Sequence, residues 1–339
     1  VLGSPAMEAG LQAGDIIVKI GEKFTRNMPQ DDSLTLLRGA EGTSVQLSIR
    51  RNDNPTLLEF NITRKIVRTR TLRGFQREGD GHWNYRLPAP NDNFLYLHVT
   101  DFGQRTTQEV SQVIDLANDT LEYDGIVLDL RGNGGGLLLS AVSICDLFMD
   151  QAKVVEVQYR DENRNVTYSS DASTTRDATT PMVVLIDRDS ASASEITAAC
   201  LQDHERAVVI GERSYGKGSV QDVVVLNTSG DNHALKYTVA HYVRPSGRNI
   251  HRTKPIEQML PEEDWGVQPN DGYTHRFDEE QRIAYLKDKR ERFIIQPPAS
   301  KADSSSNPEV TTIEFEEDDT IFIDLHLQRA IEYLQSRKL

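Results

Sequence analysis

The sequence has little of what would tie it to a membrane, a metal or a nucleic acid. It contains no run of about 18 apolar residues, the length a helix needs to cross a bilayer. Val1 to Gly14 lack the basic stretch and apolar core of a signal peptide. On these absences the chain reads as soluble, and it can be a fragment of something longer. There are only 2 cysteines, Cys145 and Cys200, with no Cys-X-X-Cys or Cys-X-X-X-His spacing, and no His-Glu-X-X-His occurs. No metal site is expected, and the two thiols, set among apolar neighbours, read as buried and free, with a single disulfide left open. Positive charge is also in deficit: 38 Lys and Arg against 52 Asp and Glu give a net charge of −14. That balance repels phosphate backbones and anionic lipid, so nucleic acid is not an expected partner.

What is present describes a folded chain. The 339 residues are 37% hydrophobic and 27% charged, an ordinary globular composition, and more than one core usually covers. Two domains are expected. Ser4-Pro5-Ala6, Ala9-Gly10-Leu11 and Gly14-Asp15 lead into the apolar run Ile16 to Ile20, a short helix, a turn and a strand. Leu34, Leu36 and Leu37 precede Arg38-Gly39, where glycine can end a helix. Val45, Leu47 and Ile49 then alternate as a half-buried strand, and Phe60 and Ile62 repeat the alternation. Residues 66–92 carry scattered arginines, glycines and prolines without apolar periodicity and read as a linker or hairpin.

From Phe94 onward the texture is strand, helix, strand. Strands are expected over 95–99, 125–130, 154–159, 182–187, 207–211, 223–226 and 234–243. Helices are expected over 108–121, 137–149, 193–202, 279–292 and 325–339, with a polar break at 297–308 and an acidic stretch at 314–319. The core is therefore α/β, with successive parallel units.

Three segments carry chemical potential. Ser190-Ala191-Ser192-Ala193-Ser194-Glu195 follows a buried strand and opens a helix, so a serine stands at a strand-to-helix turn with the next N–H outward. An ordinary helix N-cap has the same composition, so the segment alone decides nothing. Asp129-Leu-Arg131-Gly132-Asn133-Gly134-Gly135-Gly136 runs from a strand into glycines whose N–H groups can form an anion-binding nest. A phosphate loop is the rival, but it lacks the Gly-Lys-Ser/Thr ending. Gly211-Glu212-Arg213-Ser214-Tyr215-Gly216-Lys217-Gly218-Ser219-Val220-Gln221 places a lysine between two glycines after a buried strand. A lone lysine is usually a solvated surface residue; here the glycines would let the stem bend inward, where desolvation favours the neutral amine that can take a serine proton. His98 and His241 in strand patterns and His204 at a helix end read as structural.

In this order the three segments resemble the carboxyl-terminal processing, or tail-specific, serine proteases over essentially the whole chain. The opening Ser-Pro-Ala, Ala-Gly-Leu, Gly-Asp and Arg38-Gly-X-X-Gly-Thr43 resemble a PDZ domain. The resemblance implies an α/β fold: a crotonase/ClpP-like protease core with a partial, N-terminally truncated PDZ domain. The expected organisation is 1–65 the back half of the PDZ domain, 66–92 the linker, and 93–339 the protease core with a C-terminal helix.

For the site, the resemblance implies Ser192 as nucleophile, Lys217 as general base, Gln221 orienting the lysine, and the N–H groups of Gly136 and Ala193 as oxyanion hole. Arg38 matches a PDZ arginine that regulates the lysine-orienting glutamine in some relatives. Glu195, Asp203 and Glu212 match acidic motif positions and are assigned support. The implied reaction passes through an acyl-enzyme and uses no cofactor or metal. Implied substrates are proteins or peptides with apolar, unstructured C-termini captured by the PDZ domain. Relatives act in the periplasm, cell envelope or thylakoid lumen, and oligomerisation is left open. Where relatives have Gly-Ile-X-Pro-Asp, this chain has Trp265-Gly-Val-Gln-Pro-Asn270 after a long insert over 251–264. A catalytically inactive PDZ scaffold and a crotonase-type acyl-CoA enzyme are the alternatives.

Overall fold

The computed structural model describes residues 3–51, 56–67, 69–120, 122–228, 231–255, 258–260, 263–294 and 322–337. They form two units, one built mainly from residues up to Thr69 and the other mainly from Arg70 onward. The expected polar break at 297–308 and acidic stretch at 314–319 lie outside the described residues.

The first unit opens with helix α1 (Pro5–Glu8), whose N-cap Ser4 accepts the Met7 N–H and whose first residue is proline. Strands β1 (Ile16–Ile20) and β2 (Lys23–Phe24), helix α2 (Gln30–Leu37) and strands β3 (Ser44–Arg50) and β4 (Leu58–Thr63) follow. The sheet order is β2-β1-β3-β4, antiparallel throughout. Its core holds Ile20, Leu47, Ile49 and Ile62. The Arg64 guanidinium closes the end of α2 by donating to the Leu36 and Leu37 carbonyls.

The second unit contains β5 (Leu72–Arg73), β6 (Gln76–Arg77), β7 (Trp83–Asn84), β8 (Phe94–Val99), α3 (Thr106–Thr120), β9 (Gly125–Asp129), α4 (Leu138–Phe148), β10 (Lys153–Tyr159) and β11 (Val166–Ser169). It continues with β12 (Met182–Ile186), α5 (Ala193–Asp203), β13 (Val208–Gly211), β14 (Ser219–Thr228), β15 (Asp231–Val243), α6 (Glu279–Phe293) and α7 (Leu325–Ser336). A central sheet has the order β13-β12-β9-β8-β5, and β8, β9, β12 and β13 run parallel. A second, antiparallel sheet has the order β11-β10-β15-β14. The segment 66–92 thus contributes the hairpin β6–β7 and, in β5, an antiparallel edge strand of the central sheet.

The apolar runs of β8, β9 and β12 follow from burial on both faces. Leu95, Leu97, Ile126, Leu128, Val184 and Ile186 meet Val110 and Ile114 of α3, Ile144 of α4 and Ile196 of α5. The alternate residues Phe94, Tyr96, Val127, Val183 and Leu185 meet Leu327, Ala330 and Leu334 of α7 on the other face. This sandwich fixes the carboxyl ends of β9, β12 and β13, from which the three motif segments emerge. Cys145 on α4 and Cys200 on α5 are both buried and free. No described helix is long and apolar enough to cross a membrane.

Candidate active site

Ser192 sits between β12 and α5 as the N-cap of the helix, with φ 56° and ψ −112°. A non-glycine residue held there is strained, and such strain is stored where a side chain must be aimed. The neighbouring serines are tied down. Ser190 Oγ donates to the Leu130 carbonyl, Ser194 Oγ donates to the Asn133 carbonyl, and both residues are wholly buried. Ser192 is half-buried. Of the three, it alone combines the strained turn with access to solvent.

The glycine loop after β9 closes against this turn. The Ala191 N–H donates to the Asn133 carbonyl at 3.0 Å, and a Cβ added to Gly135 would stand 2.8 Å from Ser192 Cβ. The Gly135 N–H is used locally, donating to Asn133 Oδ1 at 2.8 Å. Gly136, at φ 144°, bridges Phe102 through its neighbours: the Phe102 N–H donates to the Gly135 carbonyl and the Leu137 N–H to the Phe102 carbonyl. Its own N–H is turned the other way. Among the described residues neither the Gly136 N–H nor the Ala193 N–H makes a hydrogen bond. Both donors expected to hold an oxyanion are thus without a partner among the described residues.

Below the loop, Arg131 anchors its start. The buried guanidinium donates to Asp129 and, at 2.8 Å, to Asp324 at the head of α7, and it lies over the Tyr285 ring. Tyr96 Oη donates to the same Asp129 carboxylate, which the neighbouring guanidinium holds well below the usual carboxylate range.

The lysine segment returns from β13. Its Tyr215 N–H donates to the Ser190 carbonyl at 2.9 Å. The Glu195 carboxylate, wholly buried in the first turn of α5, accepts four further bonds. Oε2 takes the N–H of Ser192 and the N–H of Lys217, each at 2.8 Å. Oε1 takes Ser214 Oγ and the Gly216 N–H, each at 2.6 Å. The backbone nitrogens of Ser192 and Lys217 therefore lie no farther apart than those two bonds laid end to end.

The lysine itself corrects one expectation. Lys217 is exposed, and its flanking glycines do not fold the stem inward. They let other chain segments approach: a Cβ on Gly216 would meet Arg252 Cβ at 2.8 Å and Trp265 at 2.9 Å, and one on Gly218 would meet the His251 nitrogen at 2.4 Å. The insert after His251 returns here too, since the Val267 N–H donates to Ser214 Oγ and the Ser214 N–H to the Val267 carbonyl. Gln221 is exposed on β14, where the register with β15 slips between Val220 and Gln221. Arg38 is exposed at the end of α2 in the first unit. Asp203, the last residue of α5, pairs with Arg244, and Glu212 accepts from Arg188, in the connection between β12 and α5, and from the Phe277 N–H.

Two residues hold this arrangement, and sequence reasoning gave one of them, Glu195, only an unspecified supporting place and the other, Asn133, no role of its own. For Glu195 a sharper signal existed: Ser192-Ala-Ser-Glu195 has the capping-box spacing. Asn133 gave none, because a side chain that bonds its own loop looks like any turn asparagine.

A strained serine turn with idle N–H groups on a parallel α/β sheet, joined to a small antiparallel domain, is the architecture of a serine peptidase with a PDZ unit. The model of peptidase family S41 matches residues 93–269 and that of the PDZ domain residues 1–51, and the chain belongs to peptidase family S41. The carboxy-terminal-processing protease of Bartonella bacilliformis is 34% identical over 296 residues, covering 85% of this chain and 63% of the relative. The carboxyl-terminal-processing protease of Synechocystis is 32% identical, covering 74% and 55%, and CtpA of Bacillus subtilis is 31% identical, covering 77% and 53%. The chain thus spans between 53% and 63% of these curated relatives. The crystal structure of a putative S41 protease from Bacteroides fragilis has a TM-score of 0.51 at 19% identity, covering 84% of this chain and 71% of its own, a likeness of fold.

Proposed function

We propose that the chain is a serine endopeptidase of the carboxyl-terminal processing type, with Ser192 as nucleophile and Lys217 as general base. The observation that carries the proposal is the grouping at one turn of a strained Ser192, two unpartnered N–H groups and the backbone of Lys217. The neutral Lys217 amine takes the hydroxyl proton as Ser192 Oγ attacks the scissile carbonyl. Charge then develops on the carbonyl oxygen, and the Gly136 and Ala193 N–H groups receive it. Collapse of the tetrahedral adduct leaves an acyl-serine, and the lysine ammonium gives its proton to the departing amine. Water, deprotonated by the same lysine, releases the acyl group. The reaction is complete without a metal or cofactor.

Lys217 is exposed, and bound substrate would cover it. Gln221 would then orient the amine, and Arg38 would act on that glutamine as a regulator. Substrates are proteins or peptides with apolar, unstructured C-termini. Leu137 and Leu139 just after Gly136, and Tyr215 just before the lysine, are exposed at 49%, 64% and 45% and offer such a chain an apolar margin. The site of action is extracytoplasmic, in the periplasm or cell envelope.

The test is turnover of an unfolded protein bearing an apolar tail. Wild type should degrade it, and Ser192→Ala and Lys217→Ala should each lose on the order of 10³-fold or more in kcat. An inert wild type, or a Ser192→Ala variant at the wild-type rate, would overturn the assignment.

A further inference from the structure

We propose that Glu195 is a positioning residue, which sets the distance between nucleophile and base by holding the Ser192 and Lys217 N–H groups on a single carboxylate oxygen. The inference rests on the Ser192–Lys217 reading and adds to it how the pair is kept assembled.

A capping carboxylate explains only one of the four bonds. Glu195 is the third residue of α5, where a carboxylate accepting the N-cap N–H and facing the positive end of the helix is common. The other three donors belong to a segment about twenty residues later, and they are consecutive in function: Ser214 Oγ, the Gly216 N–H and the Lys217 N–H. A carboxylate with no exposure costs several kcal/mol to bury, and a neutral side chain could fill the same space. What a neutral side chain could not do is accept four donors at once. Burial pushes the Glu195 carboxyl up, and the donors from Ser192, Ser214, Gly216 and Lys217 oppose that.

The clamp reaches a third segment. Ser214 Oγ, while donating to Oε1, accepts the Val267 N–H at 2.7 Å. Gly266, at φ 60°, leaves no room for a side chain there, since its Cβ would stand 2.8 Å from Ser214 Oγ and 3.4 Å from Glu195 Oε1. The return of the insert therefore packs down on the clamp. The serine turn, the lysine segment and the Gly266 turn meet at one carboxylate, and no other described side chain accepts from both catalytic segments.

Glu195→Gln keeps the shape and removes one acceptor. In either amide orientation the NH2 group faces a backbone N–H, that of Gly216 or those of Ser192 and Lys217. Glu195→Ala removes both acceptors. The experiment measures kcat and KM per folded molecule on the apolar-tailed substrate, and deuterium exchange of peptides spanning 190–196 and 212–218. Ser192→Ala and Lys217→Ala are run beside them. We expect kcat to fall at least tenfold in Glu195→Gln and further in Glu195→Ala, with KM within threefold and exchange rising in both peptides together. A change confined to the folded fraction, with kcat per folded molecule within twofold of wild type while Ser192→Ala and Lys217→Ala are inactive, would refute the proposal and leave the dyad standing. So would exchange that rises in only one peptide. Wild-type rates in Ser192→Ala or Lys217→Ala would instead refute the dyad, and the paired exchange then decides alone whether Glu195 joins the two segments. Should Glu195→Ala not fold, the isosteric Glu195→Gln carries the same readouts.

Discussion

Four glycines stand between Arg131 and Leu137, and residue by residue they do different work. Gly132 turns at φ 73° and donates to Asp187; a Cβ there, or on Gly134, would meet nothing within 4 Å. Gly135 is the one pressed against the nucleophile. At φ 106°, a Cβ on it would stand 2.7 Å from the Ala191 carbonyl oxygen and 3.0 Å from the Ala193 nitrogen, besides meeting Ser192 Cβ. Gly135→Ala therefore cannot be accommodated without moving the serine turn. We expect it to lower kcat by about 10²-fold or more and to destabilise the fold by about 1–3 kcal/mol, measured by turnover and by the urea midpoint. Gly134→Ala, with no positive φ and open space around it, should stay close to wild type in both. Equal behaviour of the two variants would show that the loop does not abut the reacting serine. Composition alone does not separate these glycines, or Ser190, Ser192 and Ser194; it is the family resemblance that singles out Ser192 and Gly136. Which of them matters depends on who donates to whom across the 129–136 and 187–195 segments, and no local pattern records that.

Among the elements, those buried on both faces were legible. The strands β8, β9 and β12 and helices α3, α4 and α5 lie within a few residues of where apolar runs and periodicity place them, because burial on both sheet faces writes an unbroken apolar stretch. The hairpin β14–β15 extends well beyond the expected 223–226 and 234–243. Its polar ends, Ser219 to Asp222 and Asn227-Thr228, are strand because a ladder pairs Ser219 with His241 through to Thr228 with Asp231, a long-range fact overriding weak propensity. Strand β5 was hidden for the same reason: two residues carry no periodicity. Elements also meet through ion pairs that sequence separation conceals. Arg131, after β9, binds Asp129 beside it and Asp324, the N-cap of α7, which also accepts the Leu327 N–H. Arg131→Met would leave two carboxylates buried without their cation, a loss of about 3–5 kcal/mol. We expect α7 to loosen first, visible as faster deuterium exchange over 325–336 together with a lower urea midpoint. Unchanged exchange in α7 would mean that its packing on Phe94 and Val183 holds it without the ion pair.

Over the whole molecule, the buried histidines make stability depend on acid. His98 on β8 is wholly enclosed, and burial, with Lys289 next in weight, holds its pKa down to about 3. Its Nδ1 has no hydrogen-bond partner among the described residues. His326 on α7 is held to about 4, again first by burial and then by Arg131. In the unfolded chain each would titrate near 6.5. Above that value both states are neutral and these groups contribute no slope. As the pH falls below about 6.5 the unfolded chain takes up protons that the folded chain refuses, so unfolding becomes easier, and the loss continues until the folded pKa is reached. At about 1.4 kcal/mol for each pH unit that separates the folded from the unfolded pKa, the decline amounts to at most about 5 kcal/mol for His98 and about 3.5 kcal/mol for His326. His98→Leu removes the first titration at little cost in hydrogen bonding. Urea unfolding of wild type and His98→Leu at pH 8, 6, 5 and 4 should give curves whose separation changes by about 1.4 kcal/mol per pH unit below pH 6, in favour of the variant, and not at all above pH 7. Parallel curves from pH 6 to 4 would mean that His98 titrates alike in both states, and that the acid sensitivity of the fold lies with its paired carboxylates instead.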